Sequence, residues 1–312
     1  MRFPKTLEDA AAGPGAFRAG ATDLAERRRH RLQSGPLVDL RDVQALDEIV
    51  PLDDGGVQVG AMTSIAALAE DPLVQQAWPG LAQTAGGLAT PQIRNRGTVG
   101  GNLLQEVRCW YYRSPRFVCL KKGGAHCLAR DGDHLFHSCF DQGPCAAPHP
   151  SSLAVALQAF DARVSLHDGR TLSIPELIGD GRAPTRTHRL EEGALLTGVT
   201  VPPPIPGARS AYFRAIHRVR AEWPLVEVVA HLVLEGEQIT QAHVVLGGVA
   251  NTPRALPAVE AALVGGPASA ERLAAAAKRA AEGANPLPMT AYKLRILPGA
   301  VLSALERATE RA

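Results

Sequence analysis

Residues 95–109, NRGTVGGNLLQEVRC, decide how this chain is read. Two adjacent glycines and an asparagine describe backbone that closes tightly on a ligand. Glycine lets the main chain approach, and successive N–H groups on one side form an anion-binding nest. A cysteine ends the run, and all five cysteines of the chain fall at 109, 119, 127, 139 and 145. The segment 109–150 that holds them is rich in Cys, His, Gly, Pro and aromatic residues and lacks hydrophobic periodicity. Such a segment inside a compact chain needs a staple to become ordered, and a metal centre held by thiolates supplies one.

Outward from this run lie two more small-residue loops, AGATDL at 19–24 and LGGVAN at 246–251. Thr22 and Asp23 stand where a helix begins, so the backbone of Ala19, Gly20, Ala21, Thr22 and Asp23 is placed to hold a phosphate at that terminus. No GxGxxG opens a βαβ unit and no GxxxxGK[ST] occurs, which disfavours Rossmann and P-loop nucleotide binding. None of the cysteines forms CxxC, so a zinc ribbon is disfavoured. Four widely spaced thiolates instead suit a [4Fe–4S] cluster.

The remaining chain reads as alternating short elements. Residues 1–55 give two short βα-like units, and 55–71 a strand followed by a helix that Thr63 or Ser64 caps. A further helix stops at Gly86-Gly87, and residues 151–177 give a helix, a strand, a turn at Asp168-Gly169 and a second strand. Consecutive prolines in VPPPIPG (201–207) mark the domain boundary, because they fit neither a helix nor a central strand. Beyond it come three strand patterns and Ala-rich helices at 257–265 and 269–283.

Composition bounds the rest. With 312 residues, 46% of them hydrophobic, the chain can bury two or three compact units. A net charge of +2 argues for neither a nucleic-acid nor a membrane partner. The one basic cluster, ERRRHR at 26–31, reads as a solvated helix face, with an anion site as the alternative. The odd cysteine count speaks against a disulfide framework. No apolar leader and no 18-residue apolar stretch is found, so a cytoplasmic chain is expected, periplasmic only if exported with a signal-bearing partner.

Taken together, FRAGATDL followed by IRNRGTVGGNL resembles the paired FAD loops of the medium subunits of the xanthine dehydrogenase family of molybdenum hydroxylases. The resemblance extends to LGGVANTPRAL and AYKLRILPGAVLSAL near the C-terminus. It implies an α+β fold: an FAD-binding module of the PCMH type in two subdomains, 1–55 and 56–200, then a C-terminal sheet-and-helix domain at 208–312. Ala19, Gly20, Ala21, Thr22 and Asp23 correspond to the first FAD loop, and Thr98, Gly100, Gly101 and Asn102 to the second. Two departures stand out. Ala21 replaces a glycine, so a methyl must fit beside the diphosphate. Ser151-Ser152 replaces Ser-Asp, so Ser152 offers the flavin only a hydroxyl.

The cysteine segment resembles the cluster-carrying loop of the 4-hydroxybenzoyl-CoA reductase and periplasmic aldehyde oxidoreductase medium subunits. Position by position, that resemblance implies a [4Fe–4S] cluster on Cys109, Cys119, Cys127 and Cys145. Cys139 is then spare, and it is the alternative to Cys145 as fourth ligand. The implied function is an electron-transfer flavoprotein with a molybdenum-cofactor large subunit, a small subunit with two [2Fe–2S] clusters and a soluble electron carrier. No catalytic acid or base is assigned. The alternatives are a free-standing flavin oxidase and a non-enzymatic iron–sulfur or zinc scaffold.

Overall fold

The computed structural model describes residues 1–44, 46–219 and 221–310. Strands β1 (Ala16–Arg18) and β2 (Leu37–Asp39) pair in parallel around the helix Leu24–Arg29, a small βαβ unit. The Arg18–Asp39 ion pair and a second contact from Arg41 to Asp39 fix the end of this pair, where the first loop departs.

The second sheet contains β3 (Ile49–Pro51), β4 (Val57–Gly60), β5 (Arg163–Leu166), β6 (Thr171–Ser173) and β7 (Leu196–Val201) in the order β3-β4-β7-β5-β6. Since β3 and β4 form an antiparallel hairpin, the seam between the two sheets lies between β2 and β3. The second glycine loop folds as the short helix Val99–Leu103, capped by Thr98.

The C-terminal sheet contains β8 (Ala208–Ala215), β9 (Val226–Glu235), β10 (Gln238–Gly247) and β11 (Arg254–Ala255), with β12 (Gly266–Pro267) also on β10. Its two faces are both covered, which explains the nearly unbroken apolar run of β9. On one face lie helices Pro79–Gly87 and Ser152–Ala159. The latter is apolar all round and buried along almost its whole length, as a helix sandwiched between two sheets must be.

On the other face lies helix Lys293–Thr309, whose Leu297, Val301, Ala304 and Leu305 enter the core. This helix escapes a sequence reading because Pro298 interrupts it. An interior proline costs about 3 kcal/mol, and the buried stripe outweighs that cost. Among the described residues, no helix is long and apolar enough to cross a membrane.

Candidate functional site

The two glycine loops meet. A Cβ added to Gly20 would stand 1.7 Å from the Arg96 carbonyl oxygen, so only glycine lets the first loop cross over the foot of the second. Ala21 follows in the left-handed region with φ of 61°. From Ala19 to Leu24 no backbone N–H donates to any described residue. The first loop thus offers a run of unspent donors.

The second loop differs from the nest its glycines suggested. Val99 N donates to Thr63 O, Gly100 N to Ala61 O and Asn102 N to Thr98 O. Gly101 N donates to Thr98 Oγ1 at 3.1 Å. Every donor at that helix start is already used. Gly100 is instead a packing glycine, its absent Cβ 3.0 Å from that of Ala61. Gly101 has open space except for Thr98 Oγ1, and it faces the cavity. Asn102 accepts from Ser151 Oγ at 2.7 Å through its side-chain oxygen, which leaves its NH2 for a ligand.

All ten loop and serine positions singled out for the cofactor line two adjoining cavities, of about 180 and 260 Å³. The cavities share Thr22, Asp23, Gly101 and Gln105. A third cavity of about 350 Å³ continues the second through Arg108, Glu222, Trp223 and Pro224. The three form one groove that runs from β1, past both loops, to the C-terminal domain. Trp223, 47% exposed, stands over it with the Arg108 guanidinium 4.7 Å from its ring centre. Ser152 is fully buried along this groove, near the Glu227 carboxyl, rather than presented as a free hydroxyl.

Two features of the groove were not read from sequence. Asp23 is spent as an anchor: its carboxylate takes Arg113 at 2.6 Å and Arg108 at 3.2 Å, and accepts from Glu106 N at 3.1 Å. Arg113 also donates to the carbonyls of Val107 and Glu106, tying the first loop to the start of the cysteine segment. Arg27, from the run read as a solvated face, lines the first cavity, and its buried Nε has no partner.

Cys109, Cys119, Cys127 and Cys145 all line one small enclosed space together with Tyr111, Tyr112 and Lys121. Cys139 does not. It is fully buried in the C-terminal core beside Phe140, with its N–H on Val249 O. Among the described residues, no three His, Cys, Asp or Glu side chains are grouped as a single metal ion would need. Burial pushes the Cys109 thiol up to about 11, and a shared hydrogen bond draws Cys127 down and Cys145 up. Cys109 also lines the third cavity, with His137 Nε2 3.2 Å from its sulfur.

The third glycine loop serves this segment and not the end of the groove that the first two loops line. Val249 O accepts from Cys139 N and Phe140 N, and Asn251 Nδ2 donates to the carbonyls of Cys145 and Ala147.

Comparison with known proteins agrees with this layout. Residues 4–204 match the FAD binding domain in molybdopterin dehydrogenase, and 211–308 the CO dehydrogenase flavoprotein C-terminal domain. The aldehyde oxidoreductase FAD-binding subunit PaoB of Escherichia coli (strain K12) is 33% identical over 261 residues, 80% of each chain. The putative xanthine dehydrogenase FAD-binding subunit XdhB of the same organism is 24% identical over 237 residues, 75% of this chain and 67% of that one. In fold, the chain is similar to carbon monoxide dehydrogenase from Hydrogenophaga pseudoflava, with a TM-score of 0.76 at 24% identity over 98% of this chain and 96% of that one. With two family models spanning nearly its whole length, the chain belongs to the FAD-binding medium subunits of the molybdenum hydroxylase family, the oxidoreductases that include the CO and xanthine dehydrogenases.

Proposed function

We propose that this chain carries electrons between the [2Fe–2S] clusters of a small partner subunit, its own FAD and an external carrier, while a molybdenum-cofactor large subunit handles the substrate. In this reading it also holds a [4Fe–4S] cluster on Cys109, Cys119, Cys127 and Cys145. FAD supplies the exchange between one- and two-electron chemistry; the chain supplies position, potential and a dry path.

The backbone of Ala19 to Asp23 holds the diphosphate, because its donors are unspent and Arg27 adds a cation beside them. Gly101 leaves room for it. Asn102 contributes its NH2, oriented by Ser151. Thr98 and Gly100 act indirectly, by capping and seating the second loop. Ser152 acts from below the groove through its buried neighbours.

One observation carries the cluster assignment. Of five cysteines, the four matched to the cluster loop surround one space, and the spare lies in another core. Cys109 belongs to both that space and the groove, which supports a short path between a cluster and the flavin.

Iron and flavin analysis of the five single Cys→Ser variants, purified without oxygen, tests this. Serine is a harder, poorer ligand. The 109, 119, 127 and 145 variants should fall well below the wild-type iron content while keeping FAD, and Cys139→Ser should keep both. A wild type without iron, or a Cys139→Ser variant that alone loses it, overturns the assignment.

A further inference from the structure

At the inner end of the groove, the third cavity is lined by one buried carboxyl that forms no ion pair among the described residues. Glu227, on β9, is 2% exposed and makes no ion pair with any described residue. Its Oε2 accepts from the Tyr212 hydroxyl at 2.7 Å. A hydrophobic wall has no need of an acid there. Removing a carboxylate from water without a cation is expensive, and an apolar residue of similar size avoids that cost.

We propose that Glu227 couples reduction of the flavin to the uptake of a proton. The inference rests on FAD occupying the groove, with its ring in the third cavity.

The groups nearest the carboxyl come from three elements, and Arg108, Cys109, His137, His217 and Glu222 line the same cavity. From β8 come the Tyr212 hydroxyl and, further off, Arg214, whose guanidinium nitrogens are bound to the carbonyls of Gly87 and Glu222. From helix Ser152–Ala159 comes the Ser152 hydroxyl. From β10 comes Gly247, where a Cβ would stand 2.4 Å from Glu227 Oε1, so the glycine leaves the carboxyl its place. Across the cavity, His149 presents a buried Nε2 without a partner, and burial keeps it neutral by lowering it to about 3.

Burial raises Glu227 above the ordinary carboxyl range, against smaller opposing pulls from Ser152, Tyr212 and Arg214. A reduced flavin adds negative charge beside it, and that raises its proton affinity again. Between the two affinities lies a pH window in which Glu227 is ionised beside the oxidised ring and protonated beside the reduced one. In that window two electrons arrive singly from iron–sulfur donors. Bound FAD would take up its own proton or protons from solvent on reduction, and Glu227 would take one more from solvent to form its O–H bond. On either side of the window Glu227 keeps one protonation state, and only the ring's own protons are taken up.

The test is the flavin midpoint potential of the full chain, followed against pH by the flavin absorption. For the wild type, the slope within the window should exceed that of Glu227→Gln by one proton per two electrons and match it on both sides. Glu227→Gln, which keeps a neutral hydrogen-bonding side chain, should keep stoichiometric FAD and show only the ring's own protonation, and Glu227→Asp should restore a region of excess slope. Tyr212→Phe removes a donor that favours the ionised carboxyl, so both breaks should move to higher pH. The inference is overturned if Glu227→Gln retains FAD and reproduces the wild-type curve. Should that variant not fold, a Tyr212→Phe curve superimposable on the wild type overturns it instead. A folded wild type that takes up no FAD overturns the flavin reading itself, and the proton coupling with it.

Discussion

At the second glycine loop, each amide at the start of helix Val99–Leu103 has an acceptor, from the Thr63 and Ala61 carbonyls to Thr98. At the first loop, none between Ala19 and Leu24 has one among the described residues. The two stretches look alike as sequence, small residues before a helix, yet they do opposite work. One is a rigid wall whose amides are spent within the protein. The other is a row of unspent donors, crossing over the Arg96 carbonyl at Gly20. Glycine content thus says that something comes close, without saying whether it is ligand or protein.

The contrast is broken most severely at the crossing of the loops. Gly20→Ala places a methyl against the Arg96 carbonyl carbon and oxygen, and no flexible side chain is there to yield. Overpacking of this kind costs about 3 kcal/mol or more, and FAD should be lost with the fold of the crossing. Gly101→Val is the matched control. A Cβ there meets only Thr98 Oγ1 at 3.0 Å and Ala19 Cβ at 4.0 Å, so the thermal midpoint should fall little while FAD is lost by steric exclusion. Flavin-to-protein ratio and thermal unfolding of the two variants separate the roles. A Gly101→Val protein with stoichiometric FAD would mean the second loop is not a wall of the flavin site.

Next comes the anchor of the first loop. Asp23→Asn keeps the shape but leaves Arg113, only 9% exposed in its side chain, without its anion. Breaking a pair this buried by removing one partner costs several kcal/mol, and about 2 kcal/mol is expected here because Glu26 remains beside Arg108 and Arg113. The first loop and the start of the cysteine segment should loosen together. Hydrogen exchange should rise at 19–24 and at 106–113 in the variant. A rise at one without the other would show that the ion network does not couple them.

Much of this was legible in the sequence, and the exceptions share a cause. The cap at Ser64, the strand patterns after the proline run and the confinement of all five cysteines to one segment follow from local pattern. What stayed hidden depends on partners distant in the chain. Asp23 meets Arg113 across 90 residues, and charge alone does not say which arginine an aspartate will meet. The donors of Val99 and Gly100 are consumed by carbonyls from the β4 turn, and nothing in GTVGGN encodes that. Arg27 looked like its solvated neighbours because helix facing is set by what the loop crosses. Pro298 hid a helix that only the buried sheet face makes stable.

The smallest effect is expected at Ala21. With φ of 61° it holds a conformation that costs an ordinary residue roughly 1–2 kcal/mol and a glycine almost nothing. Ala21→Gly relieves that strain but adds freedom to the unfolded chain, which returns about 0.4–1 kcal/mol. A net gain of somewhat under about 1 kcal/mol remains, read as a slightly higher thermal midpoint of the FAD-free protein. The methyl also stands in the cavity wall, so its removal should tighten FAD binding a few-fold if the first loop cradles the diphosphate. A measurement of both quantities sharpens the comparison of the loops. Stability that rises with unchanged FAD affinity would leave the backbone strain real and move the diphosphate away from Ala21. Stability that falls would mean the left-handed turn at 21 is not the loop's resting shape.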